Sequence, residues 1–322
     1  THPPTPMLKK YLLELSNTIT ICPSENPEEF CRQIKSISNK VPLDVAKSLI
    51  EFSRHGSQTG FLLFDGFSIE DTTHMKTPYN NNEKIGETTN LAKIQGILIS
   101  TIGELVAYEA EGHGKLFQDI IPMKSMETKQ MSLSSGAELE IHTEQAFSKL
   151  RPDILSLACI RGDPDAFTYI LPVKSIIKNL SHQEIELLRK PLWTTCVDFS
   201  FKLCGQEFIE GDVRGPMPII SGPEEDPRLL FDQDLMTGIT KEAHQMISRI
   251  VDIYYTHRIR HNLIPGQIIF IDNNRAVHGR SPFSPKYDGA DRFLVRCFAT
   301  FDYEKSAHAR NSDSRMIHAI YS

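Results

Sequence analysis

The sequence predicts a mixed α+β chain with a mainly β core, built as a sandwich or barrel. From about residue 115 onward, short β-like runs follow one another at close spacing, separated by turn residues. Only two clear helical patterns interrupt them. The chain has 322 residues, 40% of them hydrophobic, with no composition break and no internal repeat. One domain over residues 1–322 is therefore expected, with 1–55 as an N-terminal arm and helices packed on a core formed by 56–322.

The Pro-rich start "THPPTPM" reads as a loose arm. "NPEEFCRQIKSISNK" and "LDVAKSLIEFSRHG" have helical spacing; the first follows an Asn-Pro start and the second ends at Gly56. "GFLLFDGF" reads as a buried strand. Residues 70–89 have few aliphatics and read as a long surface loop, whereas "LAKIQGILISTIGELVAYEA" reads as an apolar helix packed on two sides. The β-like runs are "KLFQDIIP", "ELEIHTEQ", "DILSLACIRG", "FTYILPV", "TTCVDFSFKL", "MPIIS", "RLLFDQD", "QIIFID", "RAVHGR" and "RFLVRCFATF". Of the two intervening helices, "SHQEIELLRK" opens at Ser181 with Glu184 in capping-box position. The other is "TKEAHQMISRIVDIYYTHRI".

Composition narrows the function. A net charge of −6 argues against nucleic acid as the main partner, because phosphate recognition needs clustered Lys and Arg. Six scattered cysteines with no CxxC favour neither a disulfide framework nor a structural zinc site. No apolar run approaches the roughly 18 residues of a membrane span, and no signal-peptide core is seen at the start. A cytoplasmic enzyme with a small-molecule substrate is expected, its oligomeric state unreadable.

"ELEIHTEQAF" sets His142 and Glu144 two apart in a run that reads as a strand. In a strand, residues i and i+2 point to one face, so the pair offers one nitrogen and one oxygen to a single point. His278, in "FIDNNRAVHGRSPFSP", is the best candidate for a third ligand from another strand. Two histidines and a carboxylate form the facial triad of non-haem Fe(II) oxygenases, which leaves metal positions open for co-substrates. H-x-E alone is weak, and a surface or capping pair is its commoner cause. His257 and His261, at i, i+4 spacing, are a rival pair, but they lack the glutamate of HExxH and read as a solvated helix end.

"DRFLVRCFAT" adds Arg292 and Arg296, four apart and so on one strand face, opposite Phe293, Val295 and Cys297. Two inward guanidiniums are costly to bury unpaired. Small-molecule carboxylates would suit them, since arginine takes a carboxylate bidentately. Two internal salt bridges are the other reading.

"LEIHTEQAFSKLRPDILSLACIRGD" and "FIDNNRAVHGRSPFSPKYDGADRFLVR", with the spacing between them, resemble the clavaminate synthase-like branch of Fe(II)/2-oxoglutarate dioxygenases, within the taurine dioxygenase-like superfamily. The resemblance covers roughly residues 55–303. It implies a double-stranded β-helix (jelly roll) with flanking helices, and cofactors Fe(II), 2-oxoglutarate and O2. Glu144 matches the family's use of glutamate in H-x-D/E.

Carried over by residue, the resemblance implies iron held by His142, Glu144 and His278, with no further catalytic residue. Arg292, assisted by Thr168, would grip the distal carboxylate of 2-oxoglutarate. Arg296, helped by Ser132, would hold the α-carboxylate of an amino-acid substrate, with Gln118 on its α-amine and Glu144 also among the substrate contacts. Asp232 and Asp234 in "RLLFDQDLMTG" read alone as a surface turn. They match a D-x-D that grips the guanidinium in arginine hydroxylases of this branch, with Asp198 as the matching third carboxylate from an earlier strand. Three carboxylates suit a guanidinium or an ammonium. The implied activity is hydroxylation of a free basic L-amino acid, arginine first and lysine second, with release of succinate and CO2. Desaturation or oxidative cyclisation is the alternative. A non-catalytic jelly-roll binding protein keeps the ligands without using them, and a zinc hydrolase leaves both arginines without a role. Residues 70–89 and 123–136 read either as lids that exclude water or as plain mobile loops.

Overall fold

The structure, a computed structural model, describes residues 5–67, 72, 74–204, 207–312 and 314–322. Its helices are α1 (Pro6–Asn17), α2 (Pro27–Ser38), α3 (Leu43–His55), α4 (Asn90–Ile99), α5 (Val173–Lys178), α6 (His182–Leu188), α7 (Phe199–Leu203) and α8 (Lys241–His257). Its strands are β1 (Phe61–Phe64), β2 (Glu104–Tyr108), β3 (Gln118–Ile120), β4 (Leu139–His142), β5 (Ile154–Arg161), β6 (Thr168–Pro172), β7 (Trp193–Cys196), β8 (Val213–Met217), β9 (Ile220–Ser221), β10 (Arg228–Leu229), β11 (Met236–Gly238), β12 (Ile259–His261), β13 (Ile268–Asp272), β14 (Ala276–Arg280), β15 (Phe293–Thr300) and β16 (Met316–Ile317).

Two sheets organise the core. The larger runs β1-β13-β5-β15-β2-β16, with β3 also paired to β15; the smaller runs β12-β6-β14-β4. Every pairing in them is antiparallel except β16 on β2. Alternation along the strands sorts the side chains into layers. Leu155, Leu157, Ile269, Ile271, Leu294 and Phe298 of the larger sheet share one apolar cluster with Ile170 and Ala276 of the smaller. The larger sheet's other face, with Ile154, Ala158, Ile268, Phe270 and Val295, packs on Leu12, Phe30, Leu49 and Leu98 of the N-terminal helices. The smaller sheet's other face, with Ile141, Tyr169 and Val277, packs on Ile250 and Tyr254 of α8. Burial on both faces explains why "QIIFID" is a continuous apolar run. Each such buried side chain contributes about 1.5–3 kcal/mol.

Several elements depart from expectation. The arm reaches helix earlier than predicted: residues 1–4 lie outside the described residues, but α1 opens at Pro6, where Thr5 Oγ1 accepts from Leu8 N at 3.2 Å. Proline suits a first helical turn because its missing N–H has no partner there. The long apolar helix splits instead into α4 and β2, because β2 pairs with both β15 and β16. Of the predicted surface loop, residues 70, 71 and 73 lie outside the described residues. Most of residues 79–84 are at the surface as expected, whereas residues 85–87 are tied inward: Asp119 accepts from Ile85 N and Gly86 N, and buried Glu87 accepts from Ser24 N. "TTCVDFSFKL" is not one strand. β7 stops at Cys196, and Asp198 is the residue just before α7, making no side-chain capping bond, instead of projecting from a strand. "RLLFDQD" keeps only a two-residue strand and one bridge, Asp232 to His142.

Candidate active site

β4 and β14 lie side by side, with His142 and His278 as register partners and their ring centroids 4.4 Å apart. Glu144 lies two residues beyond the end of β4, so strand alternation alone does not place it. Its position is fixed by Asn273, whose Oδ1 accepts from Glu144 N (2.8 Å) and whose Nδ2 donates to the Glu144 carbonyl (3.1 Å). Thr143 N adds a 2.6 Å bond to the Phe231 carbonyl. The result brings Glu144 Oε2 to 3.3 Å from His142 Nε2 and 3.4 Å from His278 Nε2. The three ligand atoms all fall within 4.8 Å of one another.

This donor set fits a divalent iron, with two imidazoles and one carboxylate converging from one side. His142 Nδ1 lies 2.8 Å from the Glu140 carbonyl, an outer contact that aims Nε2 at the site. Burial works against charge on His142, but the Glu144 carboxylate outweighs it and pushes the imidazole up to about 10. Burial would raise Glu144; His142, His278 and Arg296 instead hold it well below the usual carboxylate range. His278 Nδ1 is buried without a partner.

The two arginines behave differently. Arg292 is 6% exposed and forms no ion pair or hydrogen bond among the described residues; its guanidinium lies 5.8 Å from the centre of the Phe283 ring. Burial pushes it down to about 10. Thr168 Oγ1 is also buried without a partner, and both residues line the cleft. For Arg296 the internal salt bridge holds. It donates to Glu111 Oε2 at 3.0 Å and to Gln118 Oε1 at 2.6 Å, while Gln118 Nε2 stays unpartnered. Burial lifts the Glu111 carboxyl to about 7 against the pull of Arg296.

The cleft is also lined by the carboxylates of Asp198, Asp232, Asp234 and Glu140. None of the four has an ion-pair partner among the described residues. Asp232 Oδ1 accepts from the N–H groups of Asp234 and Leu235, both at 2.9 Å, which leaves its second oxygen free. Burial pushes Asp232 up to about 6. Asp198 is raised well above its ordinary value by burial, then by Asp232, Glu111 and Glu144. One cleft thus gathers His142, Glu144, His278, Arg292, Thr168, Arg296, Ser132, Asp198, Asp232 and Asp234; Gln118 stands behind it, on Arg296. Glu111, Glu140, Arg280 and Asn273 were missed. Arg280 repeats the i, i+2 relation to His278 and was legible on that ground; nothing local marks the others.

A sequence profile described as "Taurine catabolism dioxygenase TauD, TfdA family" matches residues 210–298. An L-lysine 3-hydroxylase of Catenulispora acidiphila is 45% identical over 91% of this chain and 82% of its own length. The chain belongs to the clavaminate synthase-like Fe(II)/2-oxoglutarate-dependent amino acid oxygenases. Clavaminate synthase 2 of Streptomyces clavuligerus is 28% identical to this oxygenase, over 90% of this chain and 89% of its own. A crystal structure of asparagine oxygenase with Fe(II), 3-hydroxyasparagine and succinate superposes with a TM-score of 0.89 at 25% identity, covering 98% of both chains. The protein is an Fe(II)/2-oxoglutarate-dependent amino acid hydroxylase, with O2 as the second co-substrate. When bound, iron and 2-oxoglutarate supply the oxidising chemistry, in which the co-substrate is decarboxylated to succinate as a C–H bond is hydroxylated. No helix among the described residues is long and apolar enough to cross a membrane.

Proposed function

We propose that the enzyme hydroxylates an unactivated C–H of a free basic L-amino acid, L-lysine first and L-arginine second. The observation that carries this is the set of four carboxylates lining the cleft with no Lys or Arg ion-pair partner among the described residues. Such a group favours a cationic side chain and repels acidic ones. Lysine is placed first, reversing the order expected from the D-x-D match, because the relative at 45% identity is an L-lysine 3-hydroxylase. The L-ornithine/L-arginine 3-hydroxylase of Catenulispora acidiphila is 25% identical over 68% of this chain. The same comparison favours C3 as the carbon attacked.

In this reading His142, Glu144 and His278 hold the iron. Arg292 and Thr168 take the distal carboxylate of 2-oxoglutarate, which answers their lack of protein partners. Arg296, with Ser132, takes the substrate α-carboxylate and Glu111 takes the α-ammonium, whereas Gln118, expected on the α-amine, lies behind the cleft and holds Arg296. Asp198, Asp232, Asp234 and Glu140 hold the side-chain cation, so the substrate is fixed at both ends and its middle carbons lie over the iron. The two sheets that share a core are read as the halves of a double-stranded β-helix, and the chain as one catalytic domain. Residues 123–136, which place Met131 and Ser132 against the cleft, act as a lid.

The test is turnover of a panel of free L-amino acids with Fe(II) and 2-oxoglutarate, read as succinate and by product mass. Lysine should give a gain of one oxygen. Preference for asparagine or a neutral residue would sink the basic-substrate reading; a loss of two hydrogens would mean desaturation.

A further inference from the structure

The cleft holds another arginine without a carboxylate. Arg280 lies two residues beyond His278 in β14, so the two share a face. Its register partner on β6 is Thr168. Directly opposed residues put their Cβ atoms about 4.5–5.5 Å apart on one face. The Phe283 ring lies 5.2 Å from the Arg280 guanidinium and 5.8 Å from that of Arg292, so the two cations flank one ring beside the unpartnered Thr168 hydroxyl. Arg280 is 4% exposed and forms no ion pair among the described residues. Its Nε donates to the Ser281 carbonyl at 3.0 Å. One terminal nitrogen donates to Ser134 Oγ (3.1 Å) and to the Ala137 carbonyl (3.0 Å), and the other donates to nothing. Phe283 N also donates to the Ser135 carbonyl, at 2.9 Å. The strand that carries His278 is thereby tied to the segment that carries Ser132.

Two neighbouring buried guanidiniums repel each other and leave both charges uncompensated, which is costly unless an anion pairs with them. A carboxylate shared by the pair removes both costs, and Arg280 still keeps its three bonds to protein oxygens. We propose that Arg280 joins Arg292 on the distal carboxylate of 2-oxoglutarate and, through Ser134 and Ala137, couples filling of that subsite to the position of Ser132. The proposal rests on the assignment of Arg292 made above. It gives the enzyme a binding order: the co-substrate sets the segment that then meets the amino acid.

The experiment is anaerobic calorimetric titration of the Fe(II)-loaded protein with 2-oxoglutarate and with 2-oxopentanoate, which has the same chain length and no distal carboxylate. Arg280→Gln should weaken 2-oxoglutarate roughly 10- to 100-fold, the worth of a charged hydrogen bond, and leave 2-oxopentanoate nearly unchanged. Equal weakening of both ligands would make Arg280 a scaffold residue only and overturn the proposal. Arg280→Lys, which keeps the charge with less risk to folding, should retain part of the preference; a preference as low as that of Arg280→Gln would overturn the charge argument. Arg292→Gln is the control on the underlying reading. If its preference is unchanged, the assignment of Arg292 fails and this one with it; if only Arg280→Gln is unchanged, this one fails alone. The coupling is read by tryptic cleavage at the exposed Lys124 and Lys129. 2-Oxoglutarate should slow cleavage in the wild type and not in Arg280→Gln; protection retained in the variant overturns the coupling.

Discussion

Asp232→Asn isolates one charge at the acidic end of the cleft. Asp232 is 5% exposed, and its Oδ1 caps the backbone N–H groups of Asp234 and Leu235 at 2.9 Å each. Asparagine keeps that oxygen, so the turn survives and the melting temperature should barely move. What is lost is the charged oxygen that faces the cleft. A hydrogen bond to a charged group is worth about 1.5–3 kcal/mol, so kcat/KM for L-lysine should fall about 10- to 100-fold. The assay is hydroxylated product by mass spectrometry, with L-lysine and with L-norleucine, which has the lysine chain and no ammonium. Norleucine turnover should fall much less, so the ratio of the two collapses. Unchanged lysine turnover would mean that the ammonium lies elsewhere. An equal fall for both would mean that Asp232 serves the iron shell through its backbone bridge to His142. Either result refutes the cation-site reasoning.

Glu111 makes a pH prediction. With its carboxyl near 7 and the α-ammonium contact proposed above, kcat/KM for lysine should fall as pH drops below about 7, because the protonated acid no longer attracts the cation. Glu111→Gln should raise KM and flatten that limb; a wild-type limb in the variant refutes the contact. Asp226 concerns stability. Hydrogen bonds from Arg275, then Arg228, hold its carboxyl well below the usual range. A depressed carboxylate stabilises the fold above its unfolded-state pKa, near 4, and the contribution is lost as pH falls toward its folded value. Asp226→Asn should therefore cost about 1–2 kcal/mol at pH 7, discounted for partial exposure, with the cost shrinking below about pH 4. Urea unfolding across that range checks it, and a pH-independent cost refutes it. At Gly279 a Cβ would lie 2.6 Å from the Leu139 carbonyl oxygen and 2.9 Å from the Tyr254 hydroxyl. Gly279→Ala should pry β14 from β4, cost about 1–3 kcal/mol and weaken Fe(II) binding; wild-type iron affinity would show that this contact does not set the metal site.

The legible parts of the fold were those whose signal is local. The capping box at Ser181 and Glu184 forms as read, and the apolar runs "DILSLACIRG" and "QIIFID" became β5 and β13. β2 was not legible, because "ELVAY" continues the apolar run of α4 and only its long-range pairing with β15 makes it a strand. The site was legible where residue type and even spacing agree, at His142, His278, Arg292 and Arg296. It was illegible where a partner comes from far away. Asn273, which fixes Glu144, is 129 residues from it, and Glu111 is 185 from Arg296. The sequence could say that Arg292 and Arg296 both needed carboxylates, but not that the fold supplies one to Arg296 alone.

That difference is what separates the ends of the cleft chemically. A charge already paired within the protein adds little net attraction for a ligand charge, whereas an unpaired buried charge favours an ion of opposite sign strongly. Arg296 with Glu111 is a nearly neutral couple that offers both signs at once, which suits the zwitterionic end of an amino acid. Arg292 and Arg280 have no carboxylate partner among the described residues and suit a plain anion, in the proposed pose the distal end of 2-oxoglutarate. The four acidic residues have no Lys or Arg ion-pair partner among the described residues and suit a side-chain ammonium. An acidic amino acid would meet repulsion at the carboxylates, and a neutral one would leave them uncompensated. 2-Oxoglutarate placed backwards would set its distal charge against the same carboxylates. On the proposed assignments, the state of pairing, more than the identity of any one residue, would tell substrate and co-substrate apart in a single cleft around His142, Glu144 and His278.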